Sequence, residues 1–158
     1  METKNEFKTI DLSNKIKLIG VKTRTSNEKI EAINAFWQEF YSKGIFDQIP
    51  NKIDPRFVFG VYTNYESDYN GEYDLIIACE VAGFEGISDD LISFVIPKDK
   101  YAIFQESAAM PMHDKIGLLW NRIWSSQLNR KYAIDFEKYE VSTCFSENPN
   151  IQVNISIK

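Results

Sequence analysis

Histidine is nearly absent from this sequence: His113 stands alone, so imidazole-built zinc sites and triads that turn on a histidine have nothing to draw on. Cysteine is almost as scarce. Cys79 and Cys144 are far apart and in no CxxC pair, which reads as two reduced thiols rather than a disulfide or a metal site. Lysine and arginine form no basic run, and a net charge of −5 with a pI near 5.0 is the reverse of what a phosphate-tracking surface requires, so no direct nucleic-acid binding is expected. No segment approaches the roughly 20 apolar residues of a membrane span. The polar start Met-Glu-Thr-Lys-Asn-Glu has no apolar stretch behind it, and the expected location is the cytoplasm. Neither a Gly-rich phosphate loop, a nucleophile elbow nor a metal-ligand cluster occurs, so no cofactor and no metal are expected.

Apolar and aromatic residues are plentiful. At 44% hydrophobic and 14% aromatic over 158 residues, the chain has enough apolar surface for a folded core, and the expectation is one domain, 1–158. Residues 1 to about 12 read as polar and irregular. A strand from Ile16 to near Arg24 follows, then Thr25-Ser-Asn-Glu28 as a capping box for a helix with the stripe Ile30, Ile33, Trp37, Phe40 and Tyr41, stopped by Gly44. The stretch from Phe46 to Pro55 reads as a loop. Two strands, 57–65 and 73–81, flank a polar turn with Asn70-Gly71. Next come strands around 92–96 and 101–105, a helix opening near Pro111 with the stripe Ile116, Leu119, Trp120, Ile123 and Trp124, and strands 132–141 and 151–157.

This order gives strand-helix-strand-strand twice, an α+β fold of two related halves, about 14–84 and 91–158. Phe36-Trp-Gln-Glu-Phe40 aligns with Leu119-Trp-Asn-Arg-Ile123, and Tyr65-Glu66 with Tyr139-Glu140, which sets Thr63 where the second half has Glu137. Halves packed about a pseudo-twofold axis leave a natural cleft between them.

The stretch Tyr132-Ala-Ile-Asp-Phe-Glu-Lys-Tyr-Glu140 carries the most chemistry. As a strand it sends Tyr132, Ile134 and Phe136 to one face and Ala133, Asp135, Glu137 and Tyr139 to the other, so two carboxylates and a phenol are either solvated or line a pocket. Glu137 is the first candidate. In a cleft walled by aromatic rings a carboxylate is costly to desolvate, and an organic cation would both neutralise it and stack on the rings. The bland alternative is a solvated Glu137, or one held by Lys138, Arg130 or Arg122. Glu80, near the end of a strand half apolar on both faces, is a second candidate, more readily read as half of a structural ion pair than as a ligand contact. Trp37, Trp120 and Trp124 lie on helical stripes, where aromatics usually serve the core, though one lining a cavity fits the same spacing. His113 reads as a surface residue.

Phe59-Gly-Val-Tyr62, Asn64-Tyr-Glu-Ser-Asp-Tyr-Asn-Gly-Glu-Tyr73, Cys79-Glu-Val81, Ile96-Pro-x-x-x-Tyr101-Ala, Leu119-Trp-x-x-Ile-Trp124 and Asp135-Phe-Glu-x-Tyr139 follow one another in the chain. Together they resemble the gyrase-inhibitor-like effector-binding proteins, which also occur as the C-terminal sensor domain of AraC-type transcription regulators. The resemblance covers nearly everything from Ile16 onward. It implies a ligand cleft between two halves, with Glu137 in the position of an acidic residue that meets cationic, lipophilic compounds in related multidrug-sensing domains. Only about 15 residues precede the first expected strand, too few for a DNA-reading module, so a stand-alone sensor is expected.

The leading reading is therefore a binder of amphipathic, cationic small molecules, with Glu137 as counter-ion and Trp120, Tyr139 and Tyr62 as wall. Glu80 and Trp124 are further ligand-binding candidates. Two other readings stay open. Some relatives of the fold hydrolyse cyclopropane-bearing genotoxins without a cofactor, which implies Glu137 or Glu80 as the group that orients water. The gyrase-inhibitor resemblance also allows a regulator that binds a protein partner through its acidic surface.

Overall fold

Eight segments form strands, and the computed structural model, which describes residues 7–158, joins them in a single curled antiparallel sheet. The strands are β1 (Phe7–Leu12), β2 (Ile16–Ser26), β3 (Phe57–Thr63), β4 (Glu72–Glu80), β5 (Ile92–Ile96), β6 (Asp99–Phe104), β7 (Ile134–Glu140) and β8 (Ile151–Ser156). Their order across the sheet is β1-β6-β8-β7-β3-β4-β2-β5. Helices α1 (Ile30–Ser42), α2 (Ile45–Gln48) and α3 (Met112–Ser125) complete this α+β half-barrel. The middle of the sheet is the β3/β7 seam, where Gly60 faces Glu137 and Val61 faces Phe136.

Both faces of the sheet are apolar, each for its own reason. On one, α1 and α2 cover Ile19, Val58, Ile77 and Cys79 with Phe40 and the nearby Ile49, while α3 covers Ala102, Phe104, Val153 and Ile155 with Leu119 and Ile123. On the other, the curl brings Leu18, Phe59, Val61, Ile76, Ala78, Ile96, Tyr101 and Phe136 against one another. Phe40 is fully buried, and truncating such a ring to alanine costs about 3–5 kcal/mol.

Residues 1–6 of the expected irregular start lie outside the described residues, but Phe7–Leu12 forms an edge strand paired with β6, from Phe7 opposite Phe104 to Leu12 opposite Asp99. Its hydrophobics are interrupted by Lys8, Thr9 and Asp11, and it is strand because a partner edge is there to bond it. The expected capping box does not form: Thr25 and Ser26 continue β2, opposite Tyr73 and Glu72, and α1 starts at Ile30 behind Lys29 with no side-chain cap. Ile30, 61% exposed, and the exposed Tyr41 leave the expected stripe, and Phe36 joins Ile33, Trp37 and Phe40 on the inward face. The expected loop after Gly44 holds the short α2, and Gly44 does end α1, in the left-handed conformation that glycine adopts without penalty. The expected strand at Tyr132 starts two residues later, because Tyr132 has a φ of 54°.

Candidate functional site

The face of β7 that carries Asp135, Glu137 and Tyr139 turns toward the helices and is buried. Glu137 is 1% exposed. Three donors converge on it: Tyr62 and Tyr139 give their hydroxyls to Oε1 at 2.9 and 2.5 Å, and Trp120 of α3 gives its indole N–H to Oε2 at 2.8 Å. These side chains come from β3, β7 and α3, so the site exists only once the seam is paired and α3 is docked. Gly60 leaves the space: a Cβ there would stand 3.0 Å from Trp37 Cζ2 and 3.2 Å from Glu137 Oε1. Trp37 of α1 closes that side, edge-on to Tyr139 with centroids 5.2 Å apart.

Aromatic rings continue outward from this centre. Tyr62 lies edge-on to both Trp120 (5.7 Å) and Tyr73 (5.3 Å), and Trp120 lies 5.9 Å from Trp124. Tyr65 touches Tyr73 and Tyr132. Trp124 marks the rim.

All three groups that bond Glu137 are neutral, so they spread its charge without cancelling it. Burial raises the carboxyl pKa above the ordinary glutamate value, and the bonds from Tyr139, Trp120 and Tyr62 oppose that rise without reversing it. Burial, and next the Glu137 charge, hold the Tyr62 and Tyr139 hydroxyls well above their ordinary pKa, and push Tyr73 up to about 12. They remain donors at any physiological pH.

Asp135, two residues away, is bonded differently. It receives Arg130 Nη2 at 2.9 Å, the Tyr65 hydroxyl at 2.5 Å, and the Ser156 amide and hydroxyl at 2.8 and 3.2 Å. Arg130 also stacks 4.3 Å from the Tyr132 ring centroid. Of the two carboxylates on this face of β7, one is in a structural ion pair and the other has no fixed counter-ion among these contacts.

Four of the six candidates, Glu137, Tyr139, Trp120 and Tyr62, therefore meet at one point. Trp124 is at the rim. Glu80 is not with them: alternation along β4 puts it with Ile76 and Ala78 on the face away from the helices, half-buried and outside the ring cluster. Gly60, Tyr65 and Tyr73 join the site without having been site candidates in the sequence, although all three lie in its motifs, and Gly60 carries a physical signal, since a glycine inside a central strand marks a close approach. Lys115 is a further surprise, buried on α3 with its ammonium donating to Asn148 Oδ1 at 2.5 Å and the Pro149 carbonyl at 3.0 Å, which pins the β7–β8 connection.

An open pocket of about 560 Å³ lies elsewhere, between α1, α2 and the β2/β5 edge, and none of the six candidates lines it. Among the described residues, no three His, Cys, Asp or Glu side chains converge as a metal ion would require. No helix in the described residues is long and apolar enough to cross a membrane.

Residues 9–157 match the Cass2 family model, described as integron-associated effector binding protein. The integron cassette protein VCH_CASS2 from Vibrio cholerae has the same fold, with a TM-score of 0.72 and 24% identity over 97% of this chain and 96% of that one. SAV2435, solved bound to tetraphenylphosphonium, gives a TM-score of 0.73 and 22% identity over 97% of this chain and 94% of that one. The transcriptional regulator BrlR of Pseudomonas aeruginosa is 24% identical over 129 residues, 80% of this chain and 46% of BrlR. The chain thus spans about half the length of the curated relative it matches.

Proposed function

The chain belongs to the Cass2 family of integron-associated effector binding proteins, and from that premise we propose that its effectors are lipophilic organic cations that bind against Glu137. Trp120, Tyr139 and Tyr62 form the wall. One observation carries this reading: Glu137 is buried, held by three neutral donors and paired with no cation among the described residues, Arg130 being bonded to Asp135. A buried carboxylate in that state lacks compensation that a cation without hydrogen-bond donors can supply, while the rings add about 0.5–2 kcal/mol each. The tetraphenylphosphonium bound by SAV2435 is a cation of this kind. The mirrored strand orders β7-β8-β6 and β3-β4-β2 about the seam support the further reading that the cleft lies between two related halves. We place the protein in the cytoplasm, as a sensor whose bound state is read by the transcription machinery.

A thermal-shift series with tetraphenylphosphonium and other lipophilic cations tests this, since a ligand that binds only the folded state raises the melting temperature. Wild type is expected to shift and Glu137→Gln to shift far less. Equal shifts in the two proteins would remove the counter-ion role.

A further inference from the structure

The aromatic wall of the Glu137 site leads to a second, outer pocket. Asn27, Glu28, Tyr69, Asn70 and Trp124 line a cavity of about 220 Å³ at the corner between β2 and α1, facing the end of α3. Two of these are large aromatic side chains left in the open, Trp124 at 48% exposure and Tyr69 at 41%, with ring centroids 6.2 Å apart and planes tilted by 33°. Glu28 is exposed beside them. The next residue, Lys29, turns to Glu72 at 3.4 Å, and among the described residues no ion pair involves Glu28.

Two chains of contacts connect this pocket to the inner carboxylate. Trp124 touches Trp120, whose indole N–H is on Glu137. Asn27 Oδ1 accepts the Tyr73 hydroxyl at 2.8 Å, Tyr73 packs on Tyr62, and the Tyr62 hydroxyl is on Glu137. Asn27 also donates to the Tyr69 carbonyl at 2.9 Å, which fixes the loop that carries the Tyr69 ring. Carboxylate and rings thus occur twice along one wall, once buried and once at the surface.

We propose that the Glu28, Tyr69 and Trp124 pocket is an outer cation station, and that the effector class includes elongated dications, one head against Glu137 and the other among these three side chains. This rests on the reading of Glu137 as a counter-ion. The outer station adds cation–π attraction from two rings and a solvent-screened carboxylate, so its contribution is smaller than that of the inner one. It also sets ligand length, because the Trp120–Trp124 pair separates the two stations.

Calorimetry on the full chain tests the proposal with α,ω-bis(trimethylammonium)alkanes of increasing spacer length, each compared with the alkyltrimethylammonium of equal chain length. Wild type is expected to bind the best dication about tenfold more tightly than its matched monocation. Glu28→Gln and Tyr69→Ala should each reduce that ratio to about threefold. A ratio that is the same in wild type and both variants overturns the outer station. If Glu137→Gln binds the monocation as wild type does while the ratio still depends on Glu28, the inner reading fails and the outer pocket stands as a separate site. No binding of any probe to wild type overturns both.

Discussion

Trp120 on α3 donates its indole N–H to Glu137 on β7 across 2.8 Å, and this bond ties the second long helix to the β3/β7 seam at a buried carboxylate whose bonded partners are all neutral. An indole cannot accept a proton, so Trp120 favours the ionised form of Glu137. The two tyrosine hydroxyls can turn and accept, and they tolerate either form.

Trp120→Phe tests that asymmetry. The ring stays and the donor goes, so the Glu137 pKa is expected to rise further above the ordinary value, visible in carboxyl carbon chemical shifts across a pH series. Loss of a hydrogen bond to a charged group should lower stability at neutral pH by about 1.5–3 kcal/mol in urea unfolding.

Stability should depend on pH through Glu137 with a definite sign. Its folded-state pKa is raised, so between the ordinary glutamate value and the folded value the native state holds the extra proton, and stability falls as pH rises through that window. Below the window the carboxyl is protonated in both states, and above it ionised in both. Urea unfolding of wild type and Glu137→Gln at several pH values should show this fall in wild type alone. A wild-type curve that parallels the variant would contradict the raised value.

Asp135 should behave as a structural residue. Asp135→Asn leaves the Arg130 guanidinium, 7% exposed, without its carboxylate, and breaking a buried pair in this way costs about 3–5 kcal/mol. The expected result is a large loss of stability in urea unfolding, with cation affinity of the fraction still folded little altered.

Gly60→Ala probes the space around the site. The added methyl lies 3.0 Å from the Trp37 ring and 3.2 Å from Glu137 Oε1, and both must give way. Overpacking of this kind costs about 1–3 kcal/mol, and cation affinity should drop with it in the same calorimetric assay.

Much of this was legible in the residues, and the remainder was hidden for identifiable reasons. Strands β3, β4, β7 and β8 and helix α3 announce themselves because their apolar period is strong. Glu137 was legible as a charge on a strand whose other face is core. Strand β1 was not, since half its residues are polar and only the β6 edge makes it a strand. Thr25 and Ser26 look like a helix cap, and pairing with Tyr73 and Glu72 outweighs that local preference. The choice of Asp135 rather than Glu137 as the partner of Arg130 depends on how residues 129–132 approach the β8 end, which no spacing rule encodes. Glu80 looked like Glu137 in one dimension, and strand alternation put it on the other face.

Proton release on cation binding tests the central claim most directly. Titrating tetraphenylphosphonium into the full chain in two buffers of different ionisation enthalpy, at several pH values, reads affinity and proton release together. A permanently charged cation favours ionised Glu137, so affinity should rise with pH through the raised pKa and level off above it, with protons released on the rising limb. Glu137→Gln should bind weakly and without pH dependence. Affinity that is flat from acid to neutral pH in wild type, with heats independent of buffer, would mean that Glu137 does not meet the cation and would contradict its role as counter-ion.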